Sequence, residues 1–135
     1  PDLLHVHPGA MRVALRSIPC LYCVTDSTAA AGMPDGEYKL GSHTVTKCLG
    51  GVRLADGTLA GSTLTMDQAL RNLVKIGLPI SEASQRLSQF PADYLGLQER
   101  GRLQPGSFAD CVRLDRSLTL TDVMVEGDTI DFKNA

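Results

Sequence analysis

An aspartate that closes an apolar run and opens into small residues is the feature of this sequence best suited to chemistry. It is Asp26, in Val24-Thr25-Asp26, followed by Ser27, Thr28, Ala29 to Ala31 and Gly32. At the C-terminal end of a buried parallel strand, a carboxylate stands where barrel enzymes place catalysis, and it can take a proton from water and return it to a leaving group. An aspartate after a strand can also cap the next turn with its side chain. The residues by themselves leave these two roles level.

Two histidines precede it. His5-Val6-His7 puts two imidazoles on one face of a strand, close enough to share a metal ion. Only 18 residues lie between His7 and Asp26, room for a single crossover. If Asp26 ends the last strand, His5 lies on the penultimate one, and it reads as a substrate-binding residue. His7 reads as a loop position rather than a ligand, and His43 as a polar surface residue.

The stretch from Ala55 to Ser62, Ala-Asp-Gly-Thr-Leu-Ala-Gly-Ser, is a turn followed by small residues directly before a helix. Its backbone N–H groups and hydroxyls suit an anionic or polar ligand. They also suit a plain turn in which Ser62 or Thr63 caps the helix. Cys20 and Cys23 have the spacing of half a zinc ribbon, but a strand points side chains three apart to opposite faces, and Cys48 and Cys111 form no second close pair. All four are expected to be buried, reduced, structural thiols.

The elements that must position these groups follow from periodicity. Residues 3–6 and 21–25 read as short strands apolar throughout, and residues 10–18 between them carry Met11, Ala14, Leu15 and Ile18 at helical spacing. Strand, helix and strand of this kind predict a parallel sheet covered on both sides. A β-rich insertion is expected near 36–55. A helix then starts at Thr65, with Met66, Leu70, Leu73, Val74 and Ile76 on one face, and ends at Gly77. Pro79, Ser81 and Glu82 open a second helix, and Pro91 a third short turn. Strands are expected at 109–114, 123–126 and 129–132, the last two joined by a Gly127-Asp128 turn. This β-meander is too small to own a core, so the arrangement calls for a preceding part of the chain.

Composition sets outer bounds. The 135 residues are 43% hydrophobic, enough for one ordinary domain. The 13 Lys and Arg against 15 Asp and Glu leave a charge of −2, without the basic stripe a nucleic acid requires. No apolar run approaches the roughly 20 residues of a membrane helix. A cytoplasmic protein that binds neither nucleic acid nor membrane is expected. Pro1 leads straight into an apolar run, so the sequence is expected to be a piece of a longer chain.

Taken together these residues resemble the C-terminal third of the N-acetylglucosamine-6-phosphate deacetylases, within the amidohydrolase superfamily. The resemblance is carried by Leu4-His5-Val6, by Cys23-Val24-Thr25-Asp26 with Thr28-Ala29 and Gly32, by Gly57-Thr58-Leu59-Ala60-Gly61-Ser62 with Leu64-Thr65-Met66, and by residues 69–74. Pro91-Ala92, Leu95-Gly96, Gly101-Arg102-Leu103, Pro105-Gly106 and Ala109-Asp110 extend it, the last group being shared by many amidohydrolases.

The resemblance implies an α/β chain that forms the last strands and helices of a (β/α)₈ TIM-like barrel over 1–100 and the closing strands of a small β-sandwich over 101–135. It implies a hydrolase that releases acetate from N-acetylglucosamine 6-phosphate, with Asp26 as the catalytic acid and base. Asp2, Leu3, Leu4, His5, Leu59, Ala60 and Gly61 match its substrate-binding segments. The divalent metal of the intact enzyme, zinc or iron, would be held by residues upstream, so this piece by itself is expected to bind no catalytic metal and to be inactive. A homodimer is also implied. Two positions depart from the family: Leu3 stands where it often has Gly, and His7 replaces an expected acidic residue. Another amidohydrolase, dihydroorotase-like or deaminase-like, and a noncatalytic assembly fragment are the alternatives.

Overall fold

The computed structural model describes residues 1–131. Its first element, α1 (Pro8–Ser17), starts on a proline, whose missing N–H costs nothing in a first turn. His7 caps it, its Nδ1 accepting the Gly9 amide at 3.1 Å. The loop position expected for His7 therefore has a definite structural use.

Residues 3–6 and 21–25 do not form strands. A strand exists through its ladder, and among the described residues these two runs find no paired neighbour. The segment after α1 bonds instead to a helix, the Cys23 amide donating to the Arg86 carbonyl at 3.0 Å. Covering on both faces is likewise not met within this chain: Val24 is 63% exposed and Leu4 46%. One parallel bridge does form, between Ser27 and Ser62.

An antiparallel meander follows, in the order β1 (Gly36–Leu40), β2 (His43–Cys48), β3 (Gly51–Arg53) and β4 (Leu59–Ser62). It extends the expected insertion, because residues 59–62, expected as a small-residue loop, pair with β3. Alternation along β1 turns Tyr38 and Leu40 inward, and these pack with Leu54 and Ala60 on a small core of Ala30, Val45 and Val52.

The helices form a second core. α2 (Met66–Lys75) buries Ala69, Leu70 and Leu73, and it closes in a Schellman motif, with Gly77 N–H to Val74 O at 2.9 Å and Leu78 N–H to Leu73 O at 3.1 Å. Thr65 stands at its N-cap without a side-chain bond, while Ser62 Oγ accepts the Leu64 amide. α3 (Ile80–Leu87) and α4 (Gln89–Tyr94) follow, α4 beginning two residues before the expected Pro91 because proline fits its first turn. Leu15, Cys23, Leu70, Leu73, Ile76 and Ala83 make this core, joined by Leu3 and Leu21.

The last sheet is β5 (Cys111–Leu114), β6 (Leu120–Val125) and β7 (Asp128–Ile130), antiparallel in that order. Val125 pairs with Asp128, so the connecting turn is Glu126-Gly127 rather than Gly127-Asp128. Both turn residues have positive φ, +51° and +95°, as the hairpin turn that matches strand twist requires. Phe132, expected to end the last strand, lies outside the described residues. Of the cysteines only Cys23 is buried; Cys20 is exposed, Cys48 and Cys111 are half-buried, and all four are free. Burial pushes the Cys23 thiol pKa up, which keeps it protonated and unreactive.

Candidate active site

Asp26 is placed by backbone bonds rather than by its own side chain. Ser62 N–H donates to the Asp26 carbonyl at 3.0 Å and Thr28 N–H donates to the Ser62 carbonyl at 2.9 Å, so β4 grips the loop on either side of Ser27. Ser27 Oγ donates to the Leu64 carbonyl, adding a further tie. Asp26 has φ +53°, a left-handed conformation that aspartate tolerates better than most residues. The residue is exposed, and among the described residues its carboxylate makes no hydrogen bond or ion pair. The turn-capping role goes to a neighbour, since Thr25 Oγ1 accepts the Ser27 amide at 3.4 Å. That leaves the Asp26 carboxylate available for other chemistry.

Gly61 makes the close approach possible. A Cβ there would stand 2.6 Å from Thr28 Cγ2, and its φ of +123° is one that side chains rarely adopt. The block from Leu59 to Ser62 can therefore lie against the aspartate loop only with glycine at this position.

A second junction joins the first residues of the chain to the same sheet. Leu4 Cδ1 and Leu59 Cδ2 converge on Gly51, 3.5 and 3.4 Å from where its Cβ would be. Asp2 and Leu4 also line a cleft of about 360 Å³ with Leu49, Thr63, Thr65 and Asn72. Asp26 does not line that cleft. Asp2 organises its own segment: Oδ1 accepts the Leu4 and His5 amides at 3.0 and 3.2 Å, and Oδ2 meets His5 Nδ1 at 2.6 Å. Partial burial works against the Asp2 charge, but the Leu4 amide, the His5 ring and the His5 amide together outweigh it and hold the pKa below the ordinary 3.8.

The three blocks thus meet pairwise on β3 and β4. Leu4 touches the sheet beside Leu59, and Asp26 is bonded to Ser62 beside Gly61. His7 caps α1 and His43 lies exposed on β2, apart from both junctions.

No family model matches the chain. The N-acetylglucosamine-6-phosphate deacetylase of Lysinibacillus sphaericus is 39% identical to it, over 93% of this chain and 33% of the relative. A candidate N-acetylgalactosamine-6-phosphate deacetylase of Escherichia coli (strain K12) is 40% identical, over 95% of this chain and 78% of the relative. The chain belongs to the N-acetylglucosamine-6-phosphate deacetylase family. Its backbone agrees. A solved structure of an aspartate mutant of the Mycobacterium smegmatis N-acetyl-D-glucosamine-6-phosphate deacetylase, in complex with N-acetyl-D-glucosamine-6-phosphate, superposes with a TM-score of 0.88 at 38% identity. That match covers 95% of this chain and 35% of the solved one, so the chain spans about a third of the length of such deacetylases.

Leu3 has φ +64°, the region in which glycine is unstrained. Here the side chain compensates by packing against the helical core.

One charged residue escaped the reading of the sequence. Arg86 is 4% exposed, although an Arg four residues after a Glu on a helix ordinarily forms a solvated surface pair. Only its position one turn after Glu82, on the face that also carries Ala83, pointed inward.

Proposed function

We propose that this chain is the C-terminal part of a deacetylase that hydrolyses N-acetylglucosamine 6-phosphate to glucosamine 6-phosphate and acetate, with Asp26 as its proton-transfer group. In the whole protein the segment would complete a (β/α)₈ barrel over 1–100 and a small β-sandwich over 101–135, and the whole protein would be a homodimer. The observation that carries the proposal is the pair of backbone bonds between Ser62 and the Asp26 loop, which sets the Asp26 backbone against Gly61 and Ser62 at the end of the 59–62 strand, its carboxylate without a partner among the described residues.

The chemistry then runs through one carboxylate. Asp26 accepts a proton from the water that attacks the acetamide carbon, and it delivers that proton to the nitrogen as the C–N bond breaks, so acetate and a free amine leave. Bound in the intact enzyme, a divalent metal would polarise the amide and acidify the water. Among the described residues no group of three or more His, Cys, Asp or Glu could hold such an ion, so this chain alone does not fit it and no step is assigned through it. His5, anchored at Nδ1 by Asp2, offers Nε2 to the sugar phosphate, and the backbone of residues 59–61 flanks it. Among the described residues no helix is long and apolar enough to cross a membrane.

Asp2→Asn weakens the hold on His5. The expected result in the full-length protein is a KM for the sugar phosphate raised about tenfold with kcat unchanged, the scale of one charge-assisted hydrogen bond. Steady-state kinetics decide it, and a lowered kcat at constant KM would remove His5 from substrate binding. The pH sense is also fixed. Because the folded pKa of Asp2 lies below 3.8, its stabilisation is full above that value and is lost as pH falls through the lowered pKa.

The test of the proposal is acetate release by the full-length protein, supplied with a divalent metal. The C4 epimer, N-acetylgalactosamine 6-phosphate, is the second reading, favoured by the name of the relative that this chain covers to 78%. Both substrates belong in one assay. Faster release from the glucosamine compound supports the proposal, faster release from the galactosamine compound favours the second reading, and release from neither refutes both.

A further inference from the structure

The segment that carries Asp26 has a second clamp, at its other end. Arg86 Nη1 donates to the Leu21 carbonyl at 2.8 Å and Nη2 to the Leu15 carbonyl at 3.0 Å, while the Arg86 carbonyl accepts the Cys23 amide at 3.0 Å. Nε and Nη2 both reach Glu82 Oε1, at 3.0 and 2.7 Å, and the guanidinium lies over the Phe90 ring. A buried arginine costs desolvation that its ion pair alone does not recover, so its hydrogen bonds must locate something. What they locate is the end of α1 and the chain entering Asp26.

We infer that Arg86 is a positioning residue for Asp26, holding residues 21–23 from one side while Ser62 holds 26–28 from the other. Between Leu21, the last residue the Arg86 side chain holds, and Asp26 lie only Tyr22 to Thr25, and the Cys23 amide on the Arg86 backbone carbonyl ties that short span to the same helix. Misplacing a proton-transfer group by about 1 Å costs up to 100-fold in rate, so loss of the Arg86 clamp lowers kcat and leaves the substrate contacts of His5 and residues 59–61 in place. The inference rests on the reading of Asp26 as the proton-transfer group.

The discriminating variant is Arg86→Met in the full-length protein, since the apolar side chain fills a similar volume and the Glu82 side chain, 40% exposed, leaves its carboxylate solvated rather than stranded when the pair is broken. Arg86→Lys restores one donor. Glu82→Gln keeps an acceptor for the guanidinium and leaves the carbonyl bonds intact. Two readouts are taken on each: kcat and KM for acetate release, and amide hydrogen exchange followed by mass spectrometry.

Expected for Arg86→Met are a kcat about tenfold lower at unchanged KM and faster exchange confined to residues 21–28, with α2 as protected as before. Arg86→Lys should fall between Met and wild type, and Glu82→Gln should match wild type. Unchanged exchange across 21–28, or exchange rising equally in α2, would overturn the inference. If Arg86→Met fails to fold, the Lys variant decides by the same two readouts. If wild type releases no acetate while the exchange pattern holds, the clamp stands and the functional reading fails.

Discussion

In the full-length protein, Asp26→Asn lowers kcat for acetate release by about 10²–10⁴-fold, the range general acid–base catalysis contributes, and leaves KM nearly unchanged. The carboxamide is close in size to the carboxylate, and the loop is held by the Asp26 carbonyl and the Ser62 backbone, neither of which the substitution touches. The change therefore removes proton transfer without moving the loop. Rates with saturating substrate, beside a circular dichroism spectrum matching wild type, check this. A variant retaining more than a tenth of wild-type kcat would assign the proton transfer to another group.

The second large effect concerns stability. Gly101→Ala destabilises the protein by about 2–5 kcal/mol, combining left-handed strain with overpacking. Gly101 has φ +76°, and a Cβ there would stand 2.5 Å from the Ser88 carbonyl oxygen at the N-cap of α4 and 2.9 Å from Ala92 Cβ within α4, atoms fixed to the backbone that cannot swing aside. Gly106 is the control: its φ is +87°, but nothing lies within 4 Å of its Cβ position. Gly106→Ala should cost only about 1–2 kcal/mol, the strain without the clash. Urea unfolding midpoints of the two variants separate them, and equal losses would show that packing against α4 is not what Gly101 serves.

These positions also show what could be read in advance. Asp26 stands out in the sequence because an acidic residue closing an apolar run is uncommon, and the structure leaves it exposed, its carboxylate without a partner among the described residues. The helices were legible from apolar spacing, down to the end of α2 at Gly77. Residues 3–6 and 21–25 have the composition of strands, yet strand formation is decided by a pairing neighbour, which no single segment encodes. Residues 59–62 looked like a loop because Leu-Ala-Gly-Ser has little β-propensity, and only their ladder with β3 makes them a strand. The Glu126-Gly127 turn was displaced by one residue because register depends on which strand residues pair. Arg86 was missed because burial of a guanidinium requires carbonyls from Leu15 and Leu21, more than sixty residues away in the chain.

On the proposed reading Asp26, His5 and residues 59–61 address one substrate. The most direct measurement of this is the crystal structure of full-length Asp26→Asn with N-acetylglucosamine 6-phosphate bound. The acetamide is expected within hydrogen-bond reach of residue 26, about 2.6–3.2 Å, with His5 and the backbone of residues 59–61 on the sugar phosphate. A substrate bound in that structure with its acetamide away from residue 26 would contradict this reading.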